Sequence, residues 1–189
     1  DFVLDFVASD SAGRTTTVRR SVLVDTTAPT TPLIVNAPAS YVSDSLVVDG
    51  TSSDPGTDAS GVALVSWRIA PRLGGADVLT GSMTGTDNWF RSINLASLSP
   101  QGPYTLYVRA TDRAGNESSE ASLDFDVDSA NPEIQNLALS GGAFPAAVHY
   151  VNSNFSISFD AFDSNRLKSY SISRNGTVLA AHNAVDISA

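Results

Sequence analysis

Residues 2–14 read FVLDFVASDSAGR, and residues 104–116 read YTLYVRATDRAGN. Ala8, Asp10, Ala12 and Gly13 of the first phrase recur 102 residues later as Ala110, Asp112, Ala114 and Gly115. Val24-Asp25 recurs as Val127-Asp128, at an offset of 103. Self-similarity at a fixed period marks tandem copies of one structural unit, and two nearly equal offsets make coincidence a poor account. Each phrase is a period-2 strand running into an Asp-x-x-Gly turn, so the repeated unit must be built from strands.

That period divides the chain into three parts. Residues 1–25 read as the last two strands of a unit whose beginning is missing: Phe2, Leu4, Phe6 and Ala8 alternate with their neighbours, and Val18, Val22 and Val24 line the second strand. Pro29 and Pro32 make the Asp25–Pro32 linker short and stiff, because proline fixes φ and pushes the residue before it toward extended conformations. Residues 26–128 read as one complete unit. Strands are expected at Leu33–Val35, Leu46–Val48, Val62–Ala70, Trp89–Leu95, Tyr104–Thr111 and Ala121–Val127, with short edge strands near Val78-Leu79 and Ser82–Thr84. On the third strand Ala63, Val65, Trp67 and Ile69 are expected on one face. Residues 129–189 open a further unit, where Phe155, Ile157, Phe159 and Ala161 alternate, and stop before its last strands. Short strands separated by turn formers, with no helical periodicity, predict an all-β protein: immunoglobulin-like β-sandwiches in tandem, one complete unit flanked by two partial ones.

Composition narrows the function classes. Cysteine is absent, which excludes disulfides and zinc–thiolate sites. The net charge of −9 argues against nucleic acid and anionic membrane surfaces as partners. No run of apolar residues is long enough for a membrane helix. The acids are 17 Asp against 3 Glu, and Asp favours turns and hard-cation coordination where Glu favours helices.

Val24-Asp-Thr-Thr-Ala-Pro29, the Ser53-Asp54 … Ser60-Gly61-Val62 loop, Trp89 and the Tyr104–Asn116 phrase together resemble bacterial immunoglobulin-like repeats, which are strung in tandem in large surface adhesins, biofilm proteins and secreted multidomain enzymes. The tyrosine strand also resembles fibronectin type III. The resemblance implies an extracellular, cell-surface or secreted location, neighbouring repeats as partners, and a spacer or adhesive role toward host or matrix glycans or proteins. Its alternatives are a carbohydrate-binding module or a passive linker in a secreted hydrolase. The pattern departs from itself at Gly13-Arg14, where the second copy has Gly115-Asn116, and at Asn131-Pro132, where the first linker has Ala28-Pro29.

No catalytic set is expected. The two histidines, His149 and His182, have no nucleophile or metal-like partner at useful spacing. Calcium is the sharper expectation. In such a sandwich the second-to-third-strand loop and the last hairpin gather at one end, where the incoming linker also arrives. That would bring together Asp25, Asp54, Asp58, Asp112 and Asn116, with Asp128 and Asp163 beginning the same set at the next joint. Ca2+ takes six to eight oxygen ligands of these kinds. The competing reading is that each Asp merely orders its own turn. Trp67 is expected in the core. Trp89 and Phe90 point to opposite faces of one strand, so one of them, or Tyr107, is a candidate for stacking on a sugar. Tyr104 is expected to anchor a corner between strands, as the resemblance implies.

Overall fold

The computed structural model describes residues 2–37, 40–98, 101–139, 142–143, 154–163 and 167–183. The described residues form strands and no helix, and the chain divides into two compact units, Asp1–Asp128 and Ser129–Ala189.

The first unit opens with a hairpin, β1 (Phe2–Ser9) and β2 (Thr15–Val22), paired antiparallel with Phe6 opposite Val18 and Asp5 opposite Arg19. All sixteen hairpin residues are exposed, so the alternation seen in the sequence has no covered face among the described residues. The remaining strands of this unit are β3 (Leu33–Asn36), β4 (Tyr41–Val42), β5 (Ser45–Thr51), β6 (Val62–Pro71), β7 (Leu79–Ser82), β8 (Asn88–Asn94), β9 (Gly102–Asp112) and β10 (Ala121–Val127). They form a three-stranded sheet, β3-β5-β8, and a five-stranded sheet, β4-β10-β9-β6-β7. Strand β4 pairs in parallel with β10, and the other pairs are antiparallel.

The two sheets share one hydrophobic core, as the layers of a β-sandwich do. Leu46, Val48, Trp89 and Ile93 come from the three-stranded sheet, and Val65, Ile69, Leu106, Val108, Phe125 and Val127 from the five-stranded one. Period-2 alternation delivers them: on β5 Leu46 and Val48 are buried while Val47 between them is exposed. The core admits two tryptophans because each lies across from a glycine. Gly50 is the register partner of Trp89 and Gly81 of Trp67, and a Cβ on Gly81 would come 2.7 Å from the Trp67 ring. Tyr104 is buried and stacks on Phe125 with ring centroids 6.1 Å apart.

One expected face is corrected. Ala63 is exposed and Val62 is buried, because the pairing of β6 with β9 slips between Val62 and Leu64. A bulge inserts one residue and shifts the alternation before it by one.

The Asp-x-x-Gly phrases adopt the same turn. Asp10 N donates to Arg14 O (2.9 Å) and Gly13 N to Asp10 O (3.1 Å); Asp112 N donates to Asn116 O (3.1 Å) and Gly115 N to Asp112 O (3.4 Å). Gly13 and Gly115 both take positive φ, 80° and 94°, which a side chain rarely tolerates.

The second unit contains β11 (Glu133–Leu139), β12 (Gly142–Ala143), β13 (Ile157–Phe162), β14 (Ser169–Arg174) and β15 (Thr177–Asn183). These form a β12-β11-β13 sheet and a β14-β15 hairpin. Phe159 meets Tyr170 edge-to-face at 5.3 Å, joining the two sheets. Among the described residues of this unit none is fully buried.

Candidate metal centre

Three segments that are remote in sequence meet at one end of the sandwich. Asp25 comes from the linker, Asp54 from the loop between β5 and β6, and Asp112 from the end of β9. Each offers a carboxylate oxygen, and these oxygens lie within 4.8 Å of one another.

The linker reaches this place because it is docked. Pro29 and Pro32 are both buried, and Thr30 N donates to Ser53 O at 2.9 Å. Asp25 then bridges two segments, its Oδ1 accepting from Thr27 N (3.0 Å) and its Oδ2 from Ser60 N (2.8 Å). Those amides hold the Asp25 carboxyl below the usual carboxylate range. Asp54 Oδ2 accepts from Gly61 N at 2.7 Å. Asp112 is buried, with Asn116 N on its Oδ1 and Asn116 Nδ2 on its Oδ2, both at 2.8 Å.

Turn ordering therefore occurs at all three positions, and it leaves two features over. The first is the mutual approach of three carboxylates, none of which forms an ion pair among the described residues. Arg113, the residue after Asp112, donates instead to the Ser60 carbonyl at 2.6 Å. The second is Asp54 Oδ1, which is buried and has no hydrogen-bond partner. A buried acceptor without a partner is costly, and like charges held together raise that cost. A hard cation relieves both, and an all-oxygen donor set suits Ca2+ better than zinc or copper. The residues present fit such an ion.

No known family model matches the chain, and no curated protein is significantly similar to it.

The other expected site residues are distributed as follows. Asn116 sits at the cluster, where its Nδ2 also donates to the Asp25 carbonyl at 3.2 Å. Asp58 shares the loop with Asp54 but is exposed and stands outside the three-carboxylate group. Asp128 follows β10 and its amide donates to Val42 O at 2.9 Å. Asp163 follows β13, and the turn after it, residues 164–166, lies outside the described residues. His149 also lies outside them, and His182 is in β15.

The three aromatic candidates for sugar stacking do not form one site. Trp89 is 2% exposed and its indole donates to Ser52 Oγ at 2.9 Å, so its faces are closed to any ligand. Phe90 is exposed on the three-stranded sheet, and Tyr107 belongs to the five-stranded one. Ser60 was missed by sequence reasoning: its amide binds Asp25, its carbonyl Arg113 and its hydroxyl the Ala114 amide at 3.2 Å, so it ties linker, loop and hairpin together. A serine in a turn-rich loop carries no signal that would single it out.

Proposed function

We propose that this chain is a segment of a tandem immunoglobulin-like repeat protein of a bacterial surface or secretome, serving as a stiff spacer whose joint at Asp25 is locked by Ca2+. The observation that carries the reading is the meeting of Asp25, Asp54 and Asp112, because one of the three belongs to the linker and two to the folded unit. An ion held by all three ties the incoming chain to the sandwich. The buried prolines and the Thr30–Ser53 hydrogen bond support stiffness in the same segment.

The immunoglobulin-like reading draws support from the strand order. Strands β3, β5 and β8 make one layer and β6, β9 and β10 the core of the other, so β5 and β6 cross between sheets, as do β8 and β9. The shared geometry of the Asp10 and Asp112 turns supports the repeat. In the intact protein, repeats on either side are the expected partners, and the array would hold a functional domain away from the cell or present a long surface for weak multivalent contacts with host or matrix molecules. The proposal assigns no catalysis. Calorimetric titration with Ca2+ tests it: one site should be seen in the chain as it stands and none in Asp54→Asn, whereas an absent or unchanged isotherm would remove the joint from the account.

A further inference from the structure

We propose that the β1–β2 hairpin of one copy of this chain docks on the second unit of another copy, β1 lying beside β14, a pairing that rests on the repeat reading above. The hairpin is the counterpart of β9 and β10. The offset of 102 that aligns the two Asp-x-x-Gly turns sets Phe2, Leu4, Phe6 and Ala8 on Tyr104, Leu106, Val108 and Ala110. All four residues of β9 are buried, and all four of β1 are exposed.

The second unit holds counterparts of the strands that cover β9. Strands β3 and β5 pair through a bulge at which Asn36 Nδ2 donates to both Asp49 carboxylate oxygens, at 2.9 and 2.8 Å. Strands β11 and β13 repeat the device: their register slips between Gln135 and Ala138, and Asn136 Nδ2 donates to Asp160 Oδ2 at 2.6 Å. Setting Asp160 on Asp49 places Ile157 and Phe159 on Leu46 and Val48, both of the core. The offset of 103 sets Tyr170 and Ile172 of β14 on Trp67 and Ile69 of β6. Strand β14 pairs antiparallel with β15, as β6 does with β7.

The first unit then dictates the register. Its larger sheet runs β10-β9-β6-β7, with Ile69 opposite Leu106 and Trp67 opposite Val108. The order β2-β1-β14-β15 reproduces it, with Ile172 opposite Leu4 and Tyr170 opposite Phe6. The second unit has room for these side chains. An apolar cavity of about 310 Å3 is lined by Ile134, Leu137, Ile157, Phe159 and Ile172, from β11, β13 and β14. In the first unit the counterparts of Ile157 and Phe159 share one core with Leu106 and Val108. Strand addition supplies backbone hydrogen bonds, and alternate side chains entering a pocket supply specificity. Counterparts of β4 and β8 are absent among the described residues, so the composite is a smaller sandwich than the first unit. The surface that donates differs from the surface that receives, so copies join head to tail.

Sedimentation equilibrium of the full 189-residue chain tests the proposal. Its average mass should rise with concentration to at least twice that of one chain. Phe6→Asp and Ile172→Asp should each remain monomeric alone. Mixed, they should form a dimer and nothing larger, since one intact hairpin then meets one intact second unit. The chain has no cysteine, so cross-linking reads the register cleanly. Leu4→Cys mixed with Ile172→Cys should form a disulfide between copies, and Val3→Cys, on the other face of β1, should not. Circular dichroism shows whether Ile172→Asp folds, and if it does not the cross-link decides. Association unchanged in Phe6→Asp, or no dimer and no cross-link in the mixtures, would overturn the proposal. A chain monomeric at every concentration overturns the docking between copies and leaves the repeat reading standing. Leu4→Cys linking to itself in preference to Ile172→Cys would mean that hairpins pair with one another, which overturns the equivalence to β9 and the repeat reading with it.

Discussion

The side-chain amide of Asn116 donates to the backbone carbonyl of Asp25 at 3.2 Å, across 91 residues of chain. The same amide donates to Asp112 Oδ2 at 2.8 Å. One small side chain in the last turn of the sandwich thus holds the linker against the carboxylate that β9 presents. This is the contact through which the position of the linker and the charge at the end of the sheet become one problem.

The core makes the first prediction. Phe125 is 1% exposed and stacks on Tyr104, while Phe90 is 59% exposed. Replacing Phe125 with Ala should cost about 3–5 kcal/mol, the range for a large buried aromatic. Phe90→Ala should stay within about 0.5 kcal/mol, as surface substitutions do. Urea unfolding midpoints of the two variants check the contrast, and near-equal effects would mean that the faces of β8 and β10 are misassigned.

Gly50→Ala makes the second. A Cβ at Gly50 would fall inside the Leu33 carbonyl and the Trp89 ring, so β3 or the indole must move. Overpacking of this kind costs about 1–3 kcal/mol. The near-UV circular dichroism of the tryptophans should change along with the unfolding midpoint, since Trp89 is the group displaced.

Much of this was legible in the sequence, for reasons specific to each residue. Alternation located β5, β6, β8, β9 and β10 because each has a covered face, as Leu46, Val47 and Val48 illustrate. The bulge at Val62–Leu64 was not legible, since it is defined by its partners Asp112 and Thr111, about fifty residues away along the chain. Nor could the sequence say whether Trp89 or Phe90 faces inward; the choice is decided by Gly50 across the sheet, whose missing side chain makes room for an indole. The three carboxylates could be inferred from which loops share an end of a sandwich. Asp58 could not be separated from Asp54, because a loop rich in Gly, Pro and Asp has no periodicity to say which side chains turn inward. The Arg68–Glu120 pair was invisible for a plainer reason: 52 residues separate the partners.

Acid should weaken the folded state through two groups in particular. Arg68 hydrogen bonds hold Glu120 below its usual range, and amide hydrogen bonds do the same for Asp25. A depressed folded pKa contributes stability above the unfolded value, lost as pH falls through the folded one. In chelator, the urea midpoint should therefore hold steady above about pH 5 and decline below about pH 4, near and under the ordinary carboxylate values. Glu120→Gln should flatten part of that decline. A midpoint that instead rises on acidification would mean that carboxylate repulsion outweighs these hydrogen bonds.

The most direct test of the central claim, that the Asp25–Asp54–Asp112 joint is a Ca2+ site, is the melting temperature of the chain with saturating Ca2+ and with chelator. An ion present at a hundredfold over its Kd stabilises the folded state by about 2.7 kcal/mol, roughly 10 °C for a domain of this size. The account predicts a shift of that order in the chain as it stands and none in Asp112→Ala. Equal melting temperatures in Ca2+ and chelator, or a shift that persists in Asp112→Ala, would contradict it.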